Sequence, residues 1–426
     1  DRVFLMRGCL SAMIVIALST ICMVQPSQAE PGRLVIGGGA VSPDTAEVWQ
    51  ALIGGLPDPE HDTIAVIAAA SGEPVASFES FRDTMAGYGV DRSRIVLIRA
   101  AVIDDDTTPE DESLWISGGT DPANQAMIQA AGGIWFTGGD QARTAQVLFD
   151  DQGAPSPLLL AVRQRLDQGA VVGGSSAGAA IQPQIMIVRG DGLTALLDPV
   201  PTVPSLDDME TGALILAPGA GFFRYGLIDQ HFDRQARLGR LVRATLRSEA
   251  HRFGFGIDEN TALIVDSAQS KARVVGKGGV TVIDDVDAEQ MGSPNDFPAS
   301  GLRLSLAASG DQIDLATGRV TPAPFRTAVS MPRPDDTEAR LVGQGALVPS
   351  RTFVERIDAD FIGGRSASIR LWTVGPDSRA LELRLTRRPE TRAWFGRAQD
   401  GDGGVTVESL DLAITLGRVQ YDAVQP

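Results

Sequence analysis

The stretch Gly169-Ala170-Val171-Val172-Gly173-Gly174-Ser175-Ser176-Ala177-Gly178-Ala179-Ala180 decides the reading of the fold. It begins as a short apolar run, as expected of a strand buried on both faces. It ends in small residues that open a helix, and between the two lies a G-x-S-x-G, Gly174 to Gly178. Glycines flanking the serine permit a turn sharp enough to aim the Ser176 oxygen out of the sheet. The N–H groups at the helix start, that of Ala177 among them, have no partner within the helix and can face an oxyanion. A lone G-x-S-x-G is equally a flexible turn or an anion-binding helix start. The strand before it and the helix after it favour a nucleophile.

Reading outward, the chain alternates strands and helices. Strands are expected at Leu34–Ile36, Thr63–Ala69, Arg94–Ile98, Gly133–Phe136 and Ala170–Val172, with helices between them such as Pro74–Tyr88 and Pro157–Gln168. That alternation predicts an α/β fold, a parallel sheet with helices on both sides. Ala213–Leu216, Leu227–Asp229, Phe255–Ile257 and Ala262–Val265 continue the strands, and Lys271–Ile283 reads as a hairpin that finishes the sheet at one edge. Beyond Met291 the texture changes to strand-like stretches separated by Gly, Pro, Asp and Ser. Pro322–Pro334 reads as a linker, so the expected organisation is a catalytic domain over residues 30–330 and a small β-rich C-terminal extension over 331–426.

A serine nucleophile needs a base, and the chain has only three histidines: His61, His231 and His251. His61 lies in a polar loop and His251 ends a helical stretch, where a cation is favoured for ordinary reasons. His231 follows Leu227-Ile228-Asp229-Gln230 at the C-terminal end of a strand, where open α/β sheets place their sites. A third residue, a carboxylate, must orient the imidazole. Asp191 is the first choice, with Asp207, Asp208, Glu210 and Glu259 as rivals. A second glycine turn, Thr137-Gly138-Gly139-Asp140-Gln141, offers the Gly139 N–H to the same site and Asp140 as a helix N-cap. After His231, Arg234, Arg237 and Arg240 recur every three residues and are expected on one helix face. They form either a solvated basic face or a carboxylate-binding group.

The formal net charge of −17 argues against a nucleic-acid partner, since phosphate binding draws on clustered Lys and Arg. Both cysteines, Cys9 and Cys22, fall near the start of the chain, where Met6-Arg7 precedes an uncharged apolar run from Gly8 to Val24 and a small-residue site ending at Ala29. The pattern predicts a signal peptide over residues 1–29 and a secreted or periplasmic protein, touching a membrane only through that segment if it stays uncleaved. Without cysteines after Ala29, neither a disulfide framework nor a thiolate metal site is expected. No metal and no cofactor are expected.

Four motifs together resemble the cyanophycinase and aspartyl dipeptidase family of serine peptidases, and its cyanophycinase branch in particular. They are Phe136-Thr137-Gly138-Gly139-Asp140-Gln141, Gly174-Ser175-Ser176-Ala177-Gly178-Ala179, Ile228-Asp229-Gln230-His231-Phe232 and Gly254-Phe255-Gly256-Ile257-Asp258-Glu259. The resemblance covers roughly residues 32 to 290. It implies a sandwich like that of class I glutamine amidotransferases, with Ser176 as nucleophile, His231 as base and the Gly139 and Ala177 amides as oxyanion hole. It also implies a pocket built from Gln141, Asp229, Gln230, Arg237 and Arg240. The family's substrate is cyanophycin, an aspartate backbone with arginine on each β-carboxyl, released as β-aspartyl-arginine dipeptides. Cyanophycinases carry arginines four, six and nine residues after the histidine. Here Arg237 and Arg240 match the last two, whereas Gln235 fills the first position and Arg234 stands one place earlier. Leu193 to Thr211 looks like an insertion at the site. The expected partner is therefore a peptide or cyanophycin, with a homodimer left open. The alternatives are a broader acidic or isoaspartyl peptide hydrolase or amidase of the same fold, an α/β-hydrolase-type esterase, and an inactive binding homologue.

Overall fold

The computed structural model describes residues 31–200, 212–290, 299–331, 335–342, 352–363, 366–375, 378–397 and 403–420. The expected signal segment and the rival carboxylates Asp207, Asp208 and Glu210 lie outside the described residues. Among the described residues, no helix is long and apolar enough to cross a membrane.

In the first half of the chain the strands are β1 Leu34–Gly37, β2 Thr63–Ile67, β3 Ile95–Ile98, β4 Ala131–Phe136 and β5 Val171–Ser175. Their partners run parallel in the order β1-β5-β4-β2-β3. Every residue of β1 and β4 is buried, as an apolar run covered on both faces must be. The connecting helices include α1 Ala46–Ile53, α2 Pro74–Gly87, α3 Pro122–Ala130, α4 Gln141–Leu148 and α5 Pro157–Asp167. Pro74, Pro122 and Pro157 each occupy the first helical position, where the missing N–H costs nothing. The Asp121, Asp140 and Ser156 side chains cap α3, α4 and α5. After β5 come the short α6 Ala177–Ala180 and a two-stranded ribbon of β6 Ile185–Arg189 and β7 Ile215–Pro218. Within the insertion lies α7, Thr194–Leu197.

The later strands depart from the expected single parallel sheet. They are β8 Leu227–Asp229, β9 Phe253–Ile257, β10 Thr261–Asp266, β11 Lys271–Gly276, β12 Gly279–Asp284 and β13 Glu289–Gln290. Then follow β14 Ala299–Ala308, β15 Gln312–Asp314, β16 Val320–Thr321, β17 Thr327–Ala328 and β18 Asp335–Val342. The last three are β19 Ser366–Val374, β20 Arg379–Arg397 and β21 Gly403–Arg418. Antiparallel β10, β11, β15 and β16 extend the first sheet past β1, making it nine-stranded. A second sheet has the order β18-β19-β20-β21-β14-β12-β9-β8, with β13 on β14 and β17 on β20.

One expectation is corrected here. Lys271–Ile283 is no edge hairpin: β11 pairs with β10 and β15 in one sheet, whereas β12 pairs with β9 and β14 in the other. The glycines at 276, 278 and 279 carry the chain from one layer to the next. The C-terminal strands join the second sheet, where β21 pairs directly with β14 and a shared apolar core includes Leu304, Leu383, Leu410 and Leu412. A buried ion pair fastens the join. Asp311 accepts from Arg326 Nε at 2.6 Å and from Thr406 Oγ1, while Arg326 Nη1 reaches Gly404 O at 2.6 Å.

Candidate active site

The C-terminal ends of β1, β4 and β5 meet in one crevice, the usual site position in an open α/β sheet. Ser176 directly follows β5 with φ 57° and ψ −117°, a conformation that L-residues rarely adopt. Its N–H donates to Gly37 O at 3.0 Å, and its carbonyl accepts from Ala179 and Ala180. The flanking glycines are required by close approach. A Cβ on Gly174 would lie 2.3 Å from Gly178 O, and one on Gly178 would lie 2.1 Å from Phe136 O.

His231 follows β8, also at positive φ, and its N–H is tied to Gly38 O at 2.6 Å. Its Nε2 lies 3.0 Å from Ser176 Oγ, and its Nδ1 lies 2.7 Å from Oε1 of Glu259. Glu259 occupies the turn between β9 and β10, which Asn260 pins to Gly39 O at 3.0 Å. Asn260 Oδ1 in turn accepts from Ser42 N and Thr45 Oγ1. Serine, imidazole and carboxylate therefore form one line fed by three strand ends.

Asp191, the first choice for that carboxylate, is not at the imidazole. Its Oδ1 accepts from the Leu193 and Thr194 N–H groups at 2.8 and 2.6 Å, so it caps the turn into α7 instead. A short acidic side chain two residues before such a turn does this for local reasons. It still lines the cleft, which measures about 770 Å³ and is bounded by Gly139, Gln141, Ser176, Asp191, Gln230, His231, Gln235, Arg237 and Arg240 among others.

The remaining expected residues divide. Gly139 borders the cleft at φ 134°, and Gly138 backs so closely on Ser176 that a Cβ there would lie 3.3 Å from the serine Cβ. Ala177 is fully buried at the start of α6. Gln141 faces the cleft but spends its amide N–H groups on Ile187 O and Val188 O, tying α4 to β6. Gln230 Oε1 is buried with no hydrogen-bond partner among the described residues. Asp229 is 1% exposed and held by Arg240 through two hydrogen bonds, so it does not line the pocket as the resemblance implies.

The arginines do not share a helix face. Ala236 takes a positive φ and α8 Leu238–Arg247 begins only after Arg237, so Arg234 and Arg237 belong to the preceding turn. Arg234 points outward, 3.6 Å from Glu259 Oε2. Arg237 donates to Gln230 O at 2.6 Å and sits 3.8 Å from Asp229, which Arg240 already occupies. Two guanidiniums over one carboxylate leave a positive charge at the cleft. Burial pushes the Arg237 pKa down to about 9; Arg240 adds to the fall, while Asp229 and Glu259 oppose it. The cleft rim carries a further pair that the sequence reading passed over, Arg189 on Asp140 at 2.9 and 2.7 Å. Among the described residues, no group of three or more His, Asp or Glu side chains is placed to hold a metal ion.

Against known proteins, the chain is 29% identical over 310 residues to a cyanophycinase of Trichormus variabilis, covering 71% of this chain and 92% of that one. It is 31% identical over 263 residues to a cyanophycinase of Synechococcus elongatus, covering 60% of this chain and 71% of that one. A solved peptidase from an acI-B1 actinobacterium superposes with a TM-score of 0.45 at 18% identity, over 67% of this chain and 98% of that one. No family model matches. The relatives matched by sequence are cyanophycinases. The chain belongs to the cyanophycinase family.

Proposed function

We propose that this protein is an exported serine peptidase that hydrolyses cyanophycin or related β-aspartyl peptides to dipeptides of the β-aspartyl-arginine type. The observation that carries the reading is the unbroken relay from Glu259 through His231 to Ser176, at 2.7 and 3.0 Å. In the proposed reaction Ser176 Oγ attacks the scissile carbonyl while His231 Nε2 takes its proton. The oxyanion forms against the Gly139 and Ala177 N–H groups. Collapse breaks the C–N bond, and His231 returns the proton to the leaving amine. Water then attacks the acyl ester by the same route, freeing the acid and Ser176. Glu259 holds the imidazole tautomer and stabilises its charged form without itself taking the proton.

The C-terminal unit of cyanophycin, like the aspartyl residue of an isoaspartyl peptide, has a free α-carboxylate near the scissile bond, and Arg237 is the cation that supports binding it. Gln235 at the cleft, where cyanophycinases have an arginine, favours shorter isoaspartyl peptides as a second reading. The test is release of dipeptide from cyanophycin and from β-aspartyl peptides by the purified protein. Ser176→Ala should lower it by several orders of magnitude, and Ser175→Ala far less. Labelling at Ser176 by a fluorophosphonate without cleavage of any such substrate would refute the substrate assignment. Export rests on the apolar run Gly8–Val24 and the small residues before Ala29. Mass spectrometry of the N-terminus in a native host tests it, and an intact Gly8–Val24 would count against it.

A further inference from the structure

We propose that the C-terminal strands hold the far wall of the catalytic cleft through Arg379, a positioning residue that sets how tightly substrate is gripped. The inference rests on the cleft being the substrate site of the preceding section. That wall consists of Gly190, Asp191, Thr194 and Gly212, on the connection between β6 and β7. Its described residues have little secondary structure of their own. Asp191 caps the turn, and α7 is a single turn of four residues, far too short to be stable alone.

Two supports keep it in place. On the inner side, Arg240 donates to Gly190 O at 2.7 Å, and a Cβ on Gly239 would lie 1.8 Å from Gly192 O, so the wall rests on the start of α8. On the outer side, Arg379 at the head of β20 donates to Leu197 O at 2.9 Å and pairs with Asp198 at 3.0 Å. It thus satisfies a terminal carbonyl of α7 and places positive charge beside it. Gly375, at the end of β19, comes so near that a Cβ would meet Leu197 Cδ1 at 2.7 Å. Displacing α7 outward would draw the Gly190–Gly192 segment from the turn that carries Arg237. Arg379 is not among the residues that line the cleft, so its effect passes to the substrate through the wall.

The test uses the full-length protein. Arg379→Ala is expected to raise KM for a short cyanophycin oligomer of several β-aspartyl-arginine units about tenfold while kcat stays within about twofold. Labelling of Ser176 by a small fluorophosphonate should be equally unaffected. Arg379→Lys keeps a donor and the charge, and should recover most of the lost affinity. Amide hydrogen exchange over residues 193–198 should quicken in Arg379→Ala, because those amides lose their anchor. An unchanged KM would overturn the proposal, as would a raised KM without faster exchange, or labelling that falls in step with peptide hydrolysis. If the wild-type protein cleaves no β-aspartyl substrate, the proposed function fails instead. The exchange measurement then decides the anchoring alone: faster exchange upholds it and equal exchange overturns it.

Discussion

Glu259 Oε1 lies 2.7 Å from His231 Nδ1, although the two residues reach that contact from the ends of different strands, β8 and the β9–β10 turn. Replacing Glu259 by Gln keeps the shape but favours the wrong imidazole tautomer. Glu259→Gln should therefore lower kcat on the order of 10³–10⁴-fold. Asp191→Asn should leave kcat within about tenfold, because its carboxylate serves the α7 turn. Steady-state rates with a small activated ester compare the two directly. A larger loss in the Asp191 variant would return the third position to Asp191.

Gly39 forms the floor under the imidazole. A Cβ there would lie 2.3 Å from His231 Nε2 at a backbone φ of 103°. Gly39→Ala should displace the ring from Ser176 and cost on the order of a hundredfold in kcat. Far-UV circular dichroism should be unchanged. Wild-type turnover in the folded variant would show that the ring does not need this floor.

The charge on Arg237 is predicted to govern the alkaline limb of the pH profile. With its pKa pushed down to about 9, the free enzyme loses a positive charge at the cleft as pH rises through that value. A bound carboxylate favours the charged form, so kcat/KM for a β-aspartyl peptide should fall above about pH 9 while kcat holds. Arg237→Ala should lose this limb and much of the affinity. Hydrolysis of an uncharged ester should follow neither change.

Asp311 and Arg326 are 0% and 2% exposed, with the carboxylate also accepting from the Ala308 and Ala323 N–H groups. Arg326→Met leaves that acid buried and unpaired, and should destabilise the fold by about 3–5 kcal/mol. Urea unfolding measures it. A chain ended near residue 330 should fare worse, since it strips β21 from β14 and exposes Leu302, Leu304 and Leu306. Soluble, active protein from that truncation would show that the sheet domain stands without its C-terminal partner.

The parts legible in the sequence are those encoded locally. Ser176 announces itself through close-packed glycines between a strand and a helix, and His231 through a strand end and a lack of competitors. The buried parallel strands were equally plain, because an all-apolar run has few other fates. Glu259 was visible only as one acid among several. What selects it is the pairing of β9 with β8 and of β10 with β1, a long-range fact with no local signature. One signal could have found it: like Ser176 and His231, it lies within two residues of a strand's C-terminal end. The arginine spacing misled for the opposite reason. A three-residue period suits a helix, but the left-handed residues His231 and Ala236 turn the chain before the helix begins. The split of Lys271–Ile283 between two sheets was hidden too, since two adjacent strands joined by glycines look the same whether or not they pair.

The pairing of β14 with β21 has a temporal consequence. Leu304 lies opposite Leu410, a partner more than a hundred residues later in the chain. Synthesis proceeds at about 5–20 residues per second, so the inner strand waits several seconds on the ribosome for its neighbour. Ser176, His231 and Glu259 all emerge before that wait, yet the sheet that carries β8 and β9 is sheathed only after it. Closing so large a loop is slow in its own right. The nascent chain thus holds Ser176, His231 and Glu259 in advance of the strand that completes their scaffold.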